Sequence, residues 1–124
     1  MSNIWNANKA VQYLQSQARP NSTGKCAEFT RHAIDAGGVI LSKTNYAKNY
    51  GQFLKSAGFL EIAQNTPLKP GDVAIIQPIK GHPYGHMCMF DGRIWISDFR
   101  QYRGFYPGLD YRNEKPPYKF YRHP

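Results

Sequence analysis

The hydrophobic pattern of this chain changes period once, near Gly58, and that change limits the folds open to it. Before it, apolar residues recur at spacings of three and four, as on one face of a helix. Ile4, Trp5, Ala7, Val11, Leu14 and Ala18 form the first such stripe. Asn3 is suited to cap that helix, and Arg19-Pro20 ends it because the residue before proline avoids the α region. A second helix is expected over 25–36, stopped by a left-handed Gly37-Gly38. A third is expected over 46–57, with Tyr46, Tyr50, Phe53 and Leu54 on one side. Beyond Gly58 come short β-rich runs at 59–63, 73–77, 86–90, 94–98 and 118–122, separated by Pro/Gly turns. Helices first and strands afterwards predict an α+β fold, N-terminal helices packed on one face of an antiparallel sheet. A chain of 124 residues is expected to make one domain, 1–124.

Charge narrows the partners. Sixteen Lys and Arg against eight Asp and Glu leave a formal +8, which attracts polyanions such as nucleic acid, acidic membrane or the anionic polymers of a bacterial envelope. The last quarter, FRQYRGFYPGLDYRNEKPPYKFYRHP, interleaves basic and aromatic residues that could stack on bases and neutralise phosphates. Arg100, Arg103 and Arg112 would carry that nucleic-acid reading. No nucleic-acid motif accompanies them, so the tyrosines are expected to pack on the sheet and the arginines to face solvent. No stretch approaches ~18 apolar residues, which excludes insertion of a spanning helix into a membrane. The start, MSNIWNANKAVQYLQ, has no basic segment followed by an apolar run, so no secretory signal is read and synthesis in the cytoplasm is expected.

The second helix opens with a cysteine, in NSTGKCAEFTRHAIDAGG. With Gly24 or Thr23 as N-cap, Cys26 falls at the second or third helical position, where unpaired N–H groups and the helix dipole favour a thiolate. Cys26, Phe29, Ala33 and Gly37 share a stripe, so the thiol is expected to face the sheet. A nucleophilic thiol needs a base within reach. His32 is six residues on, about 600° around the helix, and points away. His123 is next to the last residue and His82 sits in the turn-rich loop KGHPYG, whereas His86 opens the strand-like GHMCMF and is the best candidate base.

A third group usually orients such a histidine. Asp91-Gly92 in MCMFDGRIWISDF marks a hairpin that brings the next strand beside His86. A strict two-residue turn pairs position 86 with 97 and turns Asp98 to the opposite face. A three-residue turn, with Gly92 left-handed and a bulge, puts His86, Cys88 and Phe90 on one face with Ile94, Ile96 and Asp98. That register is the one expected, with Asp98 as the orienting acid. Cys88 reads as a small apolar residue, though a Cys26–Cys88 disulfide is conceivable. A metal site from Cys26, His82, His86 and Cys88 would need HxxxHxC, which matches no usual zinc spacing, so no metal or other cofactor is expected.

In chain order, GKC opening a helix, PGD leading into a hydrophobic strand (KPGDVAII) and GH opening the next (YGHMCMF) resemble the CHAP and NlpC-type amidase superfamily. The resemblance covers most of residues 20–98 and implies a papain-like fold that cleaves amide bonds in bacterial peptidoglycan. It implies Cys26 as nucleophile, its backbone N–H as an oxyanion donor, His86 as general base and Asp98 in the third role. Cys88 stands where a small aliphatic residue is more usual. Substrate contacts are expected from Lys25, His82 and Tyr84, the latter two in a loop outside the resemblance. With no export signal or wall-binding module read, the chain is similar to small peptidoglycan amidase effectors of type VI secretion, which act in a rival's periplasm and are held in check by an immunity protein. A phage-type lysin, a cysteine-dependent deamidase or transglutaminase-like toxin, and a small nucleic-acid-binding protein are the alternatives.

Overall fold

Helix α1 spans Ala7–Gln17 in the computed structural model, which describes residues 4–124. Its cap is Asn6, whose side chain accepts from the Lys9 N–H at 3.0 Å, while Ala10, Val11 and Leu14 are buried. Asn3, the cap expected from the sequence, lies outside the described residues. Helix α2, Cys26–Ala36, buries Ala27, Thr30, Ala33 and Ile34, and the chain leaves it through Gly37 and a left-handed Gly38. Lys25, rather than Gly24 or Thr23, is its N-cap, so Cys26 is the first helical residue. The third helix divides into a 3-10 turn, Ala47–Asn49, and α3, Tyr50–Ser56. In that first turn Lys48 gives its N–H to the Tyr84 carbonyl across the chain, and Tyr46 stays outside and exposed.

The strands are β1 (Leu60–Ile62), β2 (Val73–Ile76), β3 (His86–Phe90), β4 (Trp95–Ile96), β5 (Arg100–Gln101) and β6 (Tyr118–Arg122). They form one antiparallel sheet in the order β1-β6-β2-β3-β4-β5. Strand β4 is shorter than the run 94–98 suggested, and β5 and a short helix α4 (Leu109–Glu114) carry no clear sequence signal. No helix among the described residues is long and apolar enough to cross a membrane.

Alternation along the strands sorts two cores. Val73, Ile75, Met87, Met89, Ile96 and Tyr121 meet the helices on one face. Ala74, Ile76, Cys88, Trp95 and Phe120 face the other way, where Tyr111 of α4 and the partly buried Phe105, Tyr106 and Tyr118 cover them. Helices on one face are therefore half of the architecture, since the aromatic tail packs over the second face. Trp95 stacks on Phe120 with ring centroids 5.4 Å apart, and Phe105 meets Tyr118 at 4.3 Å.

The PGD turn ties this sheet together. Asp72 is buried, accepts the Lys69 N–H at 2.8 Å and takes Arg122 of β6 in a two-point pair at 2.8 and 2.7 Å. Its backbone meanwhile bonds Phe90 of β3, so one residue links three parts of the sheet's end. Removing one partner of such a pair leaves the other unmatched. Asp72→Ala is expected to lower unfolding free energy by about 3 kcal/mol. Urea unfolding of the variant checks this, and a loss below about 1 kcal/mol would count against the role.

Candidate active site

The start of α2, the loop 81–85 that leads into β3 and the segment 107–111 enclose a cleft of ≈ 680 Å³. Cys26, His86, Asp98, Lys25, His82 and Tyr84 all line it. The cleft exists because the sheet opens at one end. Strand β4 pairs with β3 only at Met89–Ile96 and Phe90–Trp95, after which the chain bends away through Ser97 and Asp98. Met87 is thereby released from the ladder on that side. Its N–H holds the Cys26 thiol, and its carbonyl accepts the Thr30 hydroxyl at 3.3 Å. Helix α2 thus sets its first turn over the gap.

The GH element has a steric explanation. Gly85 has φ +73°, and a Cβ there would run into the Ile76 carbonyl oxygen. This bend delivers His86 to the head of β3, where the ring is buried and its Nε2 lies 2.7 Å from Gln101 Oε1. The Gln101 amide nitrogen donates to the Gly104 carbonyl at 3.0 Å and the Phe105 carbonyl at 2.9 Å. With both amide hydrogens committed, Oε1 must be the atom facing the imidazole. His86 therefore carries its proton on Nε2, which leaves Nδ1 as a lone pair.

Here the structure corrects the expected hairpin. Gly92 is left-handed, with φ +107°, but the loop holds four residues, 91–94, and the first closing pair is Phe90–Trp95. The Asp91 carboxylate accepts the N–H groups of Arg93 and Ile94, both at 2.8 Å, and so keeps both residues in the loop. An even loop preserves the parity of the two-residue turn. Ile96 then joins Met87 and Met89 on the helix side, while His86 and Cys88 alternate to the other. Asp98 consequently does not hold the imidazole. The group that does is Gln101 of β5, which pairs with Trp95 and shares its face.

Asp98 instead grips the approach to α2. Its Oδ2 accepts the Thr23 N–H, the Thr23 hydroxyl at 2.8 Å and the Lys25 N–H at 3.3 Å, and Ser97 donates to Oδ1 at 3.0 Å. Burial raises the pKa of this carboxyl, but the donors of Thr23 and Lys25 outweigh burial and hold it below its usual value. The balance at Cys26 falls the other way. Burial pushes the thiol up to about 11; the Met87 N–H opposes this, the charge of Asp98 adds to it, and the first-turn N–H groups do not reverse it. The depressed thiol expected from the helix start is therefore not found. Burial likewise lowers His86 to about 4, against the Gln101 hydrogen bond and the charge of Asp98. At neutral pH the thiol and the imidazole are both uncharged.

Around this centre, His82 lies 3.4 Å from Asp110, and the exposed Tyr84 stacks on Tyr46 at 4.9 Å. Tyr111 comes within 5.2 Å of the His82 ring and 6.1 Å of the His86 ring. Neither Tyr111 nor Gln101 was anticipated, because a two-residue strand and a six-residue helix leave no period to read. Cys88 is fully buried on the far face, both cysteines are free, and no cluster of three metal-ligating side chains occurs among the described residues.

No protein-family model matches the chain, and no curated protein does. Among solved structures, it is similar to the effector in the type VI native effector–immunity complex Tae3–Tai3 from Ralstonia pickettii. Identity is 51% and the TM-score 0.91, covering 97% of this chain and 100% of the other. The selenomethionine form of that complex matches at 53% identity and TM-score 0.86, over 91% and 98%. Ly7917 matches at 17% identity and TM-score 0.57, over 93% of this chain and 62% of its own, a likeness of fold alone.

The buried, neutral His86 makes stability depend on pH. An unfolded histidine titrates near ~6.5, so between that value and about 4 the unfolded state binds the extra proton. The contribution is complete above about pH 6.5 and lost as pH falls towards 4, a change of about 3 kcal/mol. Asp98, with its lowered pKa, withdraws its share only at more acid pH. Denaturant unfolding from about pH 7 to about pH 4 should show this slope, flattened in His86→Gln. An equal slope in that variant would assign it elsewhere.

Proposed function

Because this chain belongs to the Tae3 family of type VI effectors, we propose that it is an antibacterial peptidoglycan hydrolase that cuts an amide of the stem peptide by thiol acyl transfer. The observation that carries this reading is one cleft lined by a thiol at a helix start and an imidazole whose tautomer leaves Nδ1 free. A nucleophile-bearing helix seated on an antiparallel sheet supports the papain-like arrangement of NlpC and CHAP amidases, with 1–124 acting as one catalytic domain.

Cys26 is the nucleophile and His86 the general base. Gln101, rather than Asp98, orients the imidazole, and it does so without adding a negative charge beside it. His86 Nδ1 takes the thiol proton as the sulfur attacks the carbonyl carbon. The oxyanion is met by first-turn N–H groups of α2, that of Cys26 among them. His86 then returns the proton to the departing amine nitrogen. Water, deprotonated by His86 Nδ1, attacks the thioester carbonyl, and Nδ1 passes that proton to the departing sulfur, which releases the acid product and restores the thiol. Asp98 keeps the approach to α2, and with it the sulfur, in position. Lys25, His82 and Tyr84 contact substrate at the rim. The formal +8 favours association with an anionic wall.

Export by a type VI system, action in the target cell's periplasm and inhibition by a cognate immunity protein covering the cleft complete the proposal. Directed to the periplasm of a susceptible cell, the chain should cause lysis that Cys26→Ala abolishes, with no lysis on cytoplasmic expression. Purified sacculi should release soluble muropeptides with the wild type and none with Cys26→Ala or His86→Ala. Sacculi left intact by a folded wild-type protein would turn the reading towards a protein-directed deamidase. Gln101→Ala should lower kcat roughly 10- to 100-fold while the protein stays folded. The acid limb of kcat/KM should fall near pH 4, as for an imidazole held at about 4; a limb near ~6.5 would contradict the lowered pKa of His86.

A further inference from the structure

The cleft extends beyond the reacting groups along α2. Ala27 and Arg31, one turn apart on the same helix face, line it together with Lys43 and Thr44 from the segment before the 3-10 turn. Arg31 is five residues past Cys26, about 7.5 Å farther along the axis. Its bonding is incomplete. One terminal nitrogen donates to His32 Nε2 at 3.2 Å, but the buried Nε has no hydrogen-bond partner among the described residues. Neither Arg31 nor Lys43 belongs to any of the ion pairs found among the described residues. Glu28, three residues before Arg31 and also at the cleft, is not within ion-pair distance of it.

We propose that Arg31, assisted by Lys43, is a subsite for a free carboxylate of the substrate peptide. The carboxylate lies one to two residues from the amide that Cys26 attacks, about 7 Å of extended chain. This rests on the reading of the cleft as a stem-peptide hydrolase. The planar fork of an arginine matches a carboxylate at two points, and no carboxylate of the described residues neutralises Arg31 or Lys43 at the cleft. Lys43, exposed at the rim, adds charge without that geometry. The subsite makes the enzyme selective for stems whose side carboxylates are free over stems in which they are amidated.

The test uses Cys26→Ala, which binds without turnover, and a pair of synthetic stem peptides identical except that the side carboxylates are free or amidated. Calorimetry should give about 10- to 100-fold weaker binding of the amidated peptide. Adding Arg31→Met should reduce that preference to about threefold or less, Arg31→Lys should keep part of it, and Lys43→Met should lower it by a smaller factor. Thermal unfolding monitors the fold of each variant, and Lys43→Met, on the surface, decides the matter if Arg31→Met does not fold. In the wild type, amidation should act chiefly on KM. Equal binding of the two peptides, no binding of the free acid, or a preference that survives in folded Arg31→Met would overturn the subsite. Should the wild type hydrolyse neither peptide nor sacculi while Cys26→Ala still prefers the free acid, the hydrolase reading fails and the subsite stands.

Discussion

Asp98 is fully buried and ionised, because Thr23 and Lys25 present their donors to it in the loop just ahead of α2. Those bonds join the bend after β4 to the start of the helix that carries Cys26, and the Arg19 N–H adds a contact to the Asp98 carbonyl at 2.7 Å. The position of Cys26 over Met87 depends on this clamp. So does the opening of the sheet, since a β4 that continued past Ile96 would pair with Met87 and close the gap. A residue that the sequence suggested as a partner of His86 turns out to hold the loop that leads to Cys26. It affects both Cys26 and His86 electrostatically while touching neither through a hydrogen bond.

Two opposing effects act on the thiol, and their magnitudes decide its charge. First-turn N–H groups and the helix dipole favour an anion, each by amounts near or below ~2 kcal/mol. Burial disfavours it by more, and the nearby Asp98 charge works in the same direction. The same burial strips the imidazole of its proton. Thiol and imidazole therefore both rest uncharged at neutral pH. A glutamine as the orienting group fits this balance, since a carboxylate in its place would favour the imidazolium.

The division into helices and strands was readable because residues 4–57 and 59–98 keep different hydrophobic periods. That Cys26 and His86 would meet at one cleft was readable because short motifs fix their backbones: a helix start for one, and for the other a glycine whose Cβ would strike Ile76. The failure at the third residue has a single cause. The Asp91 side chain binds two N–H groups and sets an even loop, and nothing in the order of residues distinguishes that from an odd one. Gln101 sits in a strand of two residues, fixed by carbonyls of a following turn, so its role exists only in three dimensions. The aromatic tail was legible as packing but not as the cover of a whole sheet face, because its contacts to Trp95 and Phe120 are long-range.

The last strand in sequence, β6, lies between β1 and β2 rather than at a sheet edge. The segments that carry Cys26, His86 and Gln101 all precede it in the chain. Until β6 arrives, β2 has an unpaired flank, Asp72 has no Arg122, and Trp95 and Cys88 lack the Phe120 side of their cover. A chain lacking β6 therefore carries Cys26, His86 and Gln101 in a sheet that cannot close, and order around the cleft is coupled to the strand inserted last.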